Sequence, residues 1–297
     1  MRQLSANGRL VLKAEDVEPW LLVAGAPLPG MGFGMSADLQ ADADFSDGLL
    51  VLNSLSGVAG DTAVSGDVNL EFSKGRPDIS GELTLDALDL EPLTAALLGG
   101  PSLVNANGTP WPDSAFVKKT VTAATADLDL TVGTLAAGIL PPLHDASLSL
   151  KAGETQLSLS DIKATAAAGS VGGHVEISNE GGNGLVSGQL TLKDADLALV
   201  LQQAGLEASA LSGRATISAS FGASGPSVTE LVRGLAGSGV IELNNLVVSG
   251  LNSAALPELI RQADALGQGI DDTATSRFAP GVVKAGSFDA GDATFAF

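Results

Sequence analysis

The chain has 297 residues, 45% of them hydrophobic and 16% charged, enough to bury a sizeable core without covalent staples. Fifteen Lys and Arg stand against 34 Asp and Glu, a formal charge of −19, which argues against a nucleic-acid partner because a phosphate-tracking surface needs clustered cations. Cysteine is absent, so disulfides, thiol catalysis and zinc–thiolate sites are excluded. The segment Met1-Arg2-Gln3-Leu4-Ser5 opens no apolar signal-peptide core, and no stretch approaches the ~20 apolar residues of a membrane-spanning helix.

In chain order, the first elements alternate with period two. Gly8-Arg9-Leu10-Val11-Leu12 is followed by Asp16 and by Glu18-Pro19. Asp67-Val68-Asn69-Leu70-Glu71-Phe72 puts Val68, Leu70 and Phe72 on one face and polar groups on the other. Glu82-Leu83-Thr84-Leu85, Asp127-Leu128-Asp129-Leu130-Thr131-Val132, Ser147-Leu148-Ser149-Leu150 and Gln156-Leu157-Ser158-Leu159 continue the pattern. So do His174-Val175-Glu176-Ile177, Gln189-Leu190-Thr191-Leu192 and Ala215, Ile217, Ala219, Phe221. Successive strand side chains point to opposite faces, so these are half-buried strands with one wet face. Turn clusters at Lys74-Gly75-Arg76-Pro77-Asp78 and Asn179-Glu180-Gly181-Gly182-Asn183-Gly184 separate them. The expected class is mainly β, antiparallel and repetitive, with a few short packing helices.

Repetition is direct. Shifting the chain by 107 residues lays Val64–Leu90 on Val171–Leu197 without a gap, with identities that include Gly66/Gly173, Leu83/Leu190, Leu85/Leu192 and Asp89/Asp196. A shift of 73 lays Gly8–Trp20 on Gly81–Leu93, matching Leu10/Leu83, Leu12/Leu85 and Asp16/Asp89. Each copy runs from a Gly through alternation to an Asp eight residues later, then through a short apolar run to Gly25, Gly99 or Gly205. An Asp at a strand end can cap a helix, Pro19 and Pro92 suit its first turn, and the closing Gly stops it. Short helices are therefore expected after Asp16, Asp89 and Asp196. Longer ones are expected at 227–236, from the capping box Ser227-Val228-Thr229-Glu230, and at 253–266. Length predicts about two domains, placed at 1–100 and 101–297. The chain stops mid-alternation at Thr294-Phe295-Ala296-Phe297, which predicts a fragment of a longer protein.

Catalytic and metal patterns are missing from the sequence. His144 and His174 have no ligand-spaced partners, no Gly-x-Ser-x-Gly elbow occurs, and no Gly-rich loop ends in Gly-Lys-Ser/Thr. Asp42-Ala43-Asp44-Phe45-Ser46-Asp47-Gly48 has the Gly one place late for a calcium loop and Asn53 where a Glu is needed, so it reads as a solvated turn. The expectation is a protein that is not an enzyme, with no metal and no cofactor.

The stretch Val186-Ser187-Gly188-Gln189-Leu190-Thr191-Leu192-Lys193-Asp194-Ala195-Asp196-Leu197, followed by Leu211-Ser212-Gly213-Arg214-Ala215, resembles the C-terminal region of AsmA-like proteins. So do Gly225-Pro226-Ser227-Val228-Thr229-Glu230-Leu231, Leu235-Ala236-Gly237-Ser238-Gly239 and Gly250-Leu251, and Gly75-Arg76-Pro77 leading to Gly81-Glu82-Leu83. The resemblance covers about residues 45 to 297. It implies an elongated, curved sheet with a groove-like apolar face, similar to bridge-like lipid transfer proteins. It also implies a periplasmic protein of Gram-negative cells, associated with the inner membrane through an anchor missing from this chain and linked to outer-membrane biogenesis. The expected partners are lipid acyl chains, carried by phospholipid moving between the two membranes. The groove candidates are Leu10, Leu12, Val68, Leu70, Leu83, Leu85, Val175, Ile177, Leu190, Leu192 and Ile217, because gap-free repeats keep equivalent residues on one face. The alternative is a structural or adhesive β-repeat in which the same face is a dry core without lipid cargo.

Overall fold

Alternation of apolar and polar residues becomes structure when each segment pairs with a neighbour and turns its apolar side to a common face. The computed structural model describes residues 5–19, 34–72, 77–105, 110–118, 124–138, 140–206, 210–267 and 271–297. It contains strands β1 (Ser5–Ala14), β2 (Ala37–Ser46), β3 (Leu49–Ala59), β4 (Thr62–Glu71), β5 (Asp78–Asp89), β6 (Thr125–Ala137) and β7 (Leu140–Ala152). These are followed by β8 (Gln156–Ala166), β9 (Gly169–Glu180), β10 (Asn183–Asp196), β11 (Leu211–Gly225), β12 (Ala236–Ser249) and β13 (Ser287–Ala296). Hydrogen bonding joins all thirteen into one sheet in chain order, β1 to β13. Among the described residues six helices with stated bounds interrupt them: α1 (Glu91–Leu98), α2 (Gly100–Leu103), α3 (Leu197–Gln203), α4 (Val228–Arg233), α5 (Ala255–Leu266) and α6 (Asp272–Lys284). The class is mainly β, as the alternation predicts.

Tight turns make the pairing antiparallel. Asp47-Gly48, Ala167-Ala168 and Gly181-Gly182 are two-residue connections with positive φ at both positions, the twist that matches adjoining strands. One pair departs from the antiparallel expectation. β5 and β6 run parallel, with Leu83 beside Leu130 and Leu85 beside Val132. Residues 90–124 lie between them and carry α1 and α2, the long crossover that a parallel pair requires.

The repeats hold as geometry. Gly66 on β4 and Gly173 on β9 sit at φ 144° and 142°. A Cβ at either would stand 2.0 Å from the opposite strand's carbonyl oxygen, Glu82 O or Gln189 O, and 3.0 Å from the Cα of Leu83 or Leu190. Only glycine fits such an approach. The predicted helix after Asp89 is α1, and the one after Asp196 is α3. Asp196 caps α3 directly, its Oδ1 accepting from Ala198 N at 2.9 Å and Leu199 N at 3.2 Å. Asp89 lies one residue too early to be the cap of α1 and accepts only from Glu91 N, at 2.9 Å. Asp16 accepts from Glu18 N and Met35 N, and residues 18–19 begin a helical turn. The rest of that expected helix, with Gly25, lies outside the described residues, as does most of the turn at Lys74-Gly75-Arg76.

The C-terminal helices differ from the reading in two ways. Ser227 caps α4 as predicted, its Oγ accepting from Glu230 N. The helix ends at Arg233 rather than 236, because Gly234 closes it and Ala236 already begins β12. There Gly237 lies so near Ser220 O on β11 that a Cβ would stand 2.4 Å away. Helix α5 matches its expected span. Helix α6 was not anticipated, since Pro280 lies inside it.

By contact the chain forms two compact units. The first comprises 1–166, 171–191 and 219–238; the second comprises 167–170, 192–218 and 239–297. The first holds the main buried cluster, from Leu130, Val132 and Leu135 on β6, Ala146, Leu148 and Leu150 on β7, and Leu157, Leu159, Ile162 and Ala164 on β8. Leu90 at the N-cap of α1, Leu97 and Leu98 of α1, Leu231 of α4, and Phe116 complete it. Burying each such Leu or Val is worth about 1.5–3 kcal/mol. In the second unit Ala195, Leu197, Ala215 and Val282 are buried.

Candidate functional site

Directly opposed residues on neighbouring strands share a face, so the register of the first unit can be followed from strand to strand. One row runs Gly8, Ala43, Leu52, Val68, Gly81, Leu128, Leu150 and Leu159, crossing all eight strands from β1 to β8. A second runs Ala6, Phe45, Leu50, Leu70, Ile79, Ala126, Ala152 and Leu157. A third runs Leu12, Leu39, Gly57, Val64, Leu85, Val132 and Ala146. Every member is aliphatic, phenylalanine or glycine. The same face carries Leu83, between Gly66 and Leu130, and Leu10, opposite Ala41.

The reverse face is polar and cross-linked between strands. Lys13 Nζ donates to Asp38 Oδ2 at 2.7 Å, Arg9 Nη2 to Gln40 Oε1 at 2.7 Å, and Lys151 Nζ to Asp127 Oδ2 at 3.0 Å. Ser149 donates to Asp129, and Gln156 to Glu176. The hydrogen bond and charge of Asp38 raise the pKa of Lys13. These pairs are solvated and hold register rather than chemistry.

Exposure along the apolar rows is graded. At the β1 end Leu10 is 45% exposed and Leu12 42%. Leu39, Leu50, Leu52, Leu70, Leu83 and Leu85 are half-buried, and Val68 is buried. At β6 and β7 Val132 and Ala146 reach 0%. What closes this part is a strap, residues 110–118, together with α1 and α4. Phe116 N donates to Pro226 O, and Val117 N to Leu98 O. Buried Asn179 of β9 pins the strap, its Nδ2 donating to Leu97 O at 2.8 Å and Val117 O at 2.9 Å while its Oδ1 accepts from Gly182 N. Thr229 of α4 donates through Oγ1 to Trp111 O and Pro112 O.

The register thus brings Leu10, Leu12, Val68, Leu70, Leu83 and Leu85 to one face. Leu83 and Leu85, like Val175, Ile177 and Leu190, pack against the edge of the buried cluster of the same unit. Leu192 and Ile217 are half-buried in the second unit. Sequence reasoning did not include Leu128, Leu130, Leu148, Leu150, Leu157 and Leu159 among the candidates, although their alternation was plain. It missed Phe116 and read Asn179 only as part of a turn, since a lone aromatic and a polar residue beside a turn carry no periodic signal.

His144 and His174 are both exposed. Asp47 and Gly48 form the turn between β2 and β3, in keeping with a solvated loop. Among the described residues no group of three or more His, Asp and Glu could hold a metal ion, and no helix is long and apolar enough to cross a membrane. On α5, Arg261 and then Gln262 hydrogen-bond Glu258 and hold its carboxyl down at about 2, below the usual carboxylate range.

No curated protein and no solved structure matches the chain. The profile of the AsmA family matches residues 37–294, which takes in the apolar rows from β2 onward and both copies of the 107-residue repeat. The chain belongs to the AsmA family.

Proposed function

We propose that this protein handles lipid in the envelope of a Gram-negative cell, receiving acyl chains on the apolar face of β1–β5 without catalysing a reaction. The carrying observation is the register, which lines up aliphatic side chains and glycines across the strands, with the face open at β1. Four strand spacings of ~4.8 Å make a path of about 19 Å. One leaflet of a bilayer core is roughly 15 Å deep, so the path accommodates a single acyl chain. Each methylene taken from water contributes about 0.8 kcal/mol, and aliphatic walls impose no hydrogen-bonding demand on it. Family membership supports the setting: periplasmic, tied to the inner membrane through an anchor in the full-length form, moving phospholipid between membranes during outer-membrane assembly.

A structural role without cargo is the second reading, and the filled region at β6–β8 favours it. The two are separated by substitution. Val132→Asp would place an unpaired carboxylate in a dry site and should unfold the first unit under either reading. Leu12→Asp and Leu83→Asp stand where solvent reaches, so under the lipid reading both proteins fold while co-purifying lipid, weighed by mass spectrometry, drops. Lipid-free wild type, with Leu83→Asp failing to fold as Val132→Asp does, would leave the structural role. Recovery of the full-length product in the cytosolic fraction would refute the periplasmic placement.

A further inference from the structure

The apolar face that is open on β1–β5 does not end at β6; there the chain itself covers it. The three rows continue through Leu128, Leu150 and Leu159, through Ala126, Ala152 and Leu157, and through Val132 and Ala146, with no polar member. Against them pack Leu97 and Leu98 of α1 and Phe116 of the strap, in one buried cluster with Leu130, Leu148 and Leu159. Two glycines shape the seat. A Cβ on Gly184 would stand 2.6 Å from the Phe116 ring, and one on Gly99 would stand 2.5 Å from Val117 Cγ1. Two side chains fasten it. Asn179 donates to Leu97 O and Val117 O, and Thr229 donates to Trp111 O and Pro112 O.

Asn179 is the informative residue. It is 2% exposed at the end of β9, and its Nδ2 donates to α1 and to the strap, not to the sheet. An aliphatic side chain would serve a permanently filled core at least as well. A buried amide with its bonds satisfied fixes one arrangement of the parts it joins. The 107-residue repeat makes the contrast directly: the equivalent place, just past β4, holds Phe72, which is 48% exposed. We propose that α1 and the strap form an internal stop on the lipid path. They occupy the face of β6–β8 in place of an acyl chain, Asn179 is the latch, and lipid advancing from β5 displaces them. This rests on the lipid reading above. With the stop seated, the path spans four strand spacings and takes one acyl chain. With it released, the same rows run across seven spacings, about 34 Å, which is room for two. A ligand that needs the released form binds more weakly by the fraction of chains released, so the latch sets both affinity and capacity.

The test is hydrogen exchange on the full 297-residue chain, with and without vesicles of phosphatidylethanolamine and phosphatidylglycerol, while bound phospholipid is counted by mass spectrometry. The amides of Phe116 and Val117, bonded to Pro226 O and Leu98 O, report the strap. Lipid should speed their exchange roughly tenfold or more, while the ladder of β6–β8 stays protected. Asn179→Ala should speed it without lipid. So should Thr229→Val, which lies outside the buried cluster and serves if Asn179→Ala does not fold. Each variant loses two hydrogen bonds from the seated form, so each should bind phospholipid roughly tenfold more tightly and hold about twice as much per chain. Wild type that binds phospholipid while Phe116 and Val117 keep their protection, with neither variant holding more, would overturn the stop and leave the lipid reading standing. Wild type that binds no phospholipid would overturn both.

Discussion

At the scale of residues, glycine and not leucine sets the register. Gly66 and Gly173 occupy equivalent places 107 residues apart because the facing carbonyl leaves no room for a Cβ. Gly66→Ala should therefore destabilise the first unit by about 2–4 kcal/mol, the range of strained backbone combined with overpacking. Gly8, which has nothing within 4 Å of its would-be Cβ, should accept alanine at little cost. Thermal melting of the two variants side by side checks this, and equal losses would show that the close approach is not tight in solution. The identity of these glycines was legible in the sequence from the repeat alone. Their reason was not, because a glycine demanded by a turn and one demanded by a neighbouring backbone look alike in one dimension.

Among the elements, the three Asp-started helices show how far a shared pattern carries. Asp196 satisfies two backbone N–H groups of α3, so Asp196→Ala should cost about 1 kcal/mol or somewhat more. Asp89 satisfies one and stands outside the cap position, so Asp89→Ala should cost less, and chemical denaturation of both proteins gives the order. A reversed order would mean that α1 depends on Asp89 through more than that bond. The expectation of a cap at each Asp was right in place and too uniform in detail, because Pro92 and packing of Leu97 and Leu98 fix α1 by themselves. The strands were the most legible elements, since period two survives any register. The parallel step between β5 and β6 was invisible, because pairing direction depends on where the crossover returns the chain. Helix α6 was hidden by Pro280, which lies inside it where a proline ordinarily ends a helix.

For the whole molecule, protection from solvent should follow the grading of the apolar face. Backbone amides of β6, β7 and β8, lying over Val132, Ala146 and Leu159, should exchange hydrogen slowest in the first unit. Those of β1, whose Leu10 and Leu12 are exposed, should exchange fastest among its strands. Slow exchange throughout β1–β5 would point to a face covered in solution. Which side of each strand is apolar could be read from the sequence; what lies on top of it could not, since the strap and Asn179 come from segments without periodicity. The parallel step has a consequence for how the chain acquires its structure. A sheet ordered as the sequence is ordered has low contact order, so each strand finds its partner already beside it and folding can spread from neighbour to neighbour. Between β5 and β6, however, the 35 residues of 90–124 must first be made. At roughly 5–20 residues per second on the ribosome that is a wait of about 2–7 s, during which β1–β5 stand as a nascent half-sheet with Leu83 and Leu85 uncovered on its last strand. A wait of similar length recurs between β12 and β13, where residues 250–286 intervene, so these are the two steps in synthesis at which a chaperone would have the longest hold on a growing edge.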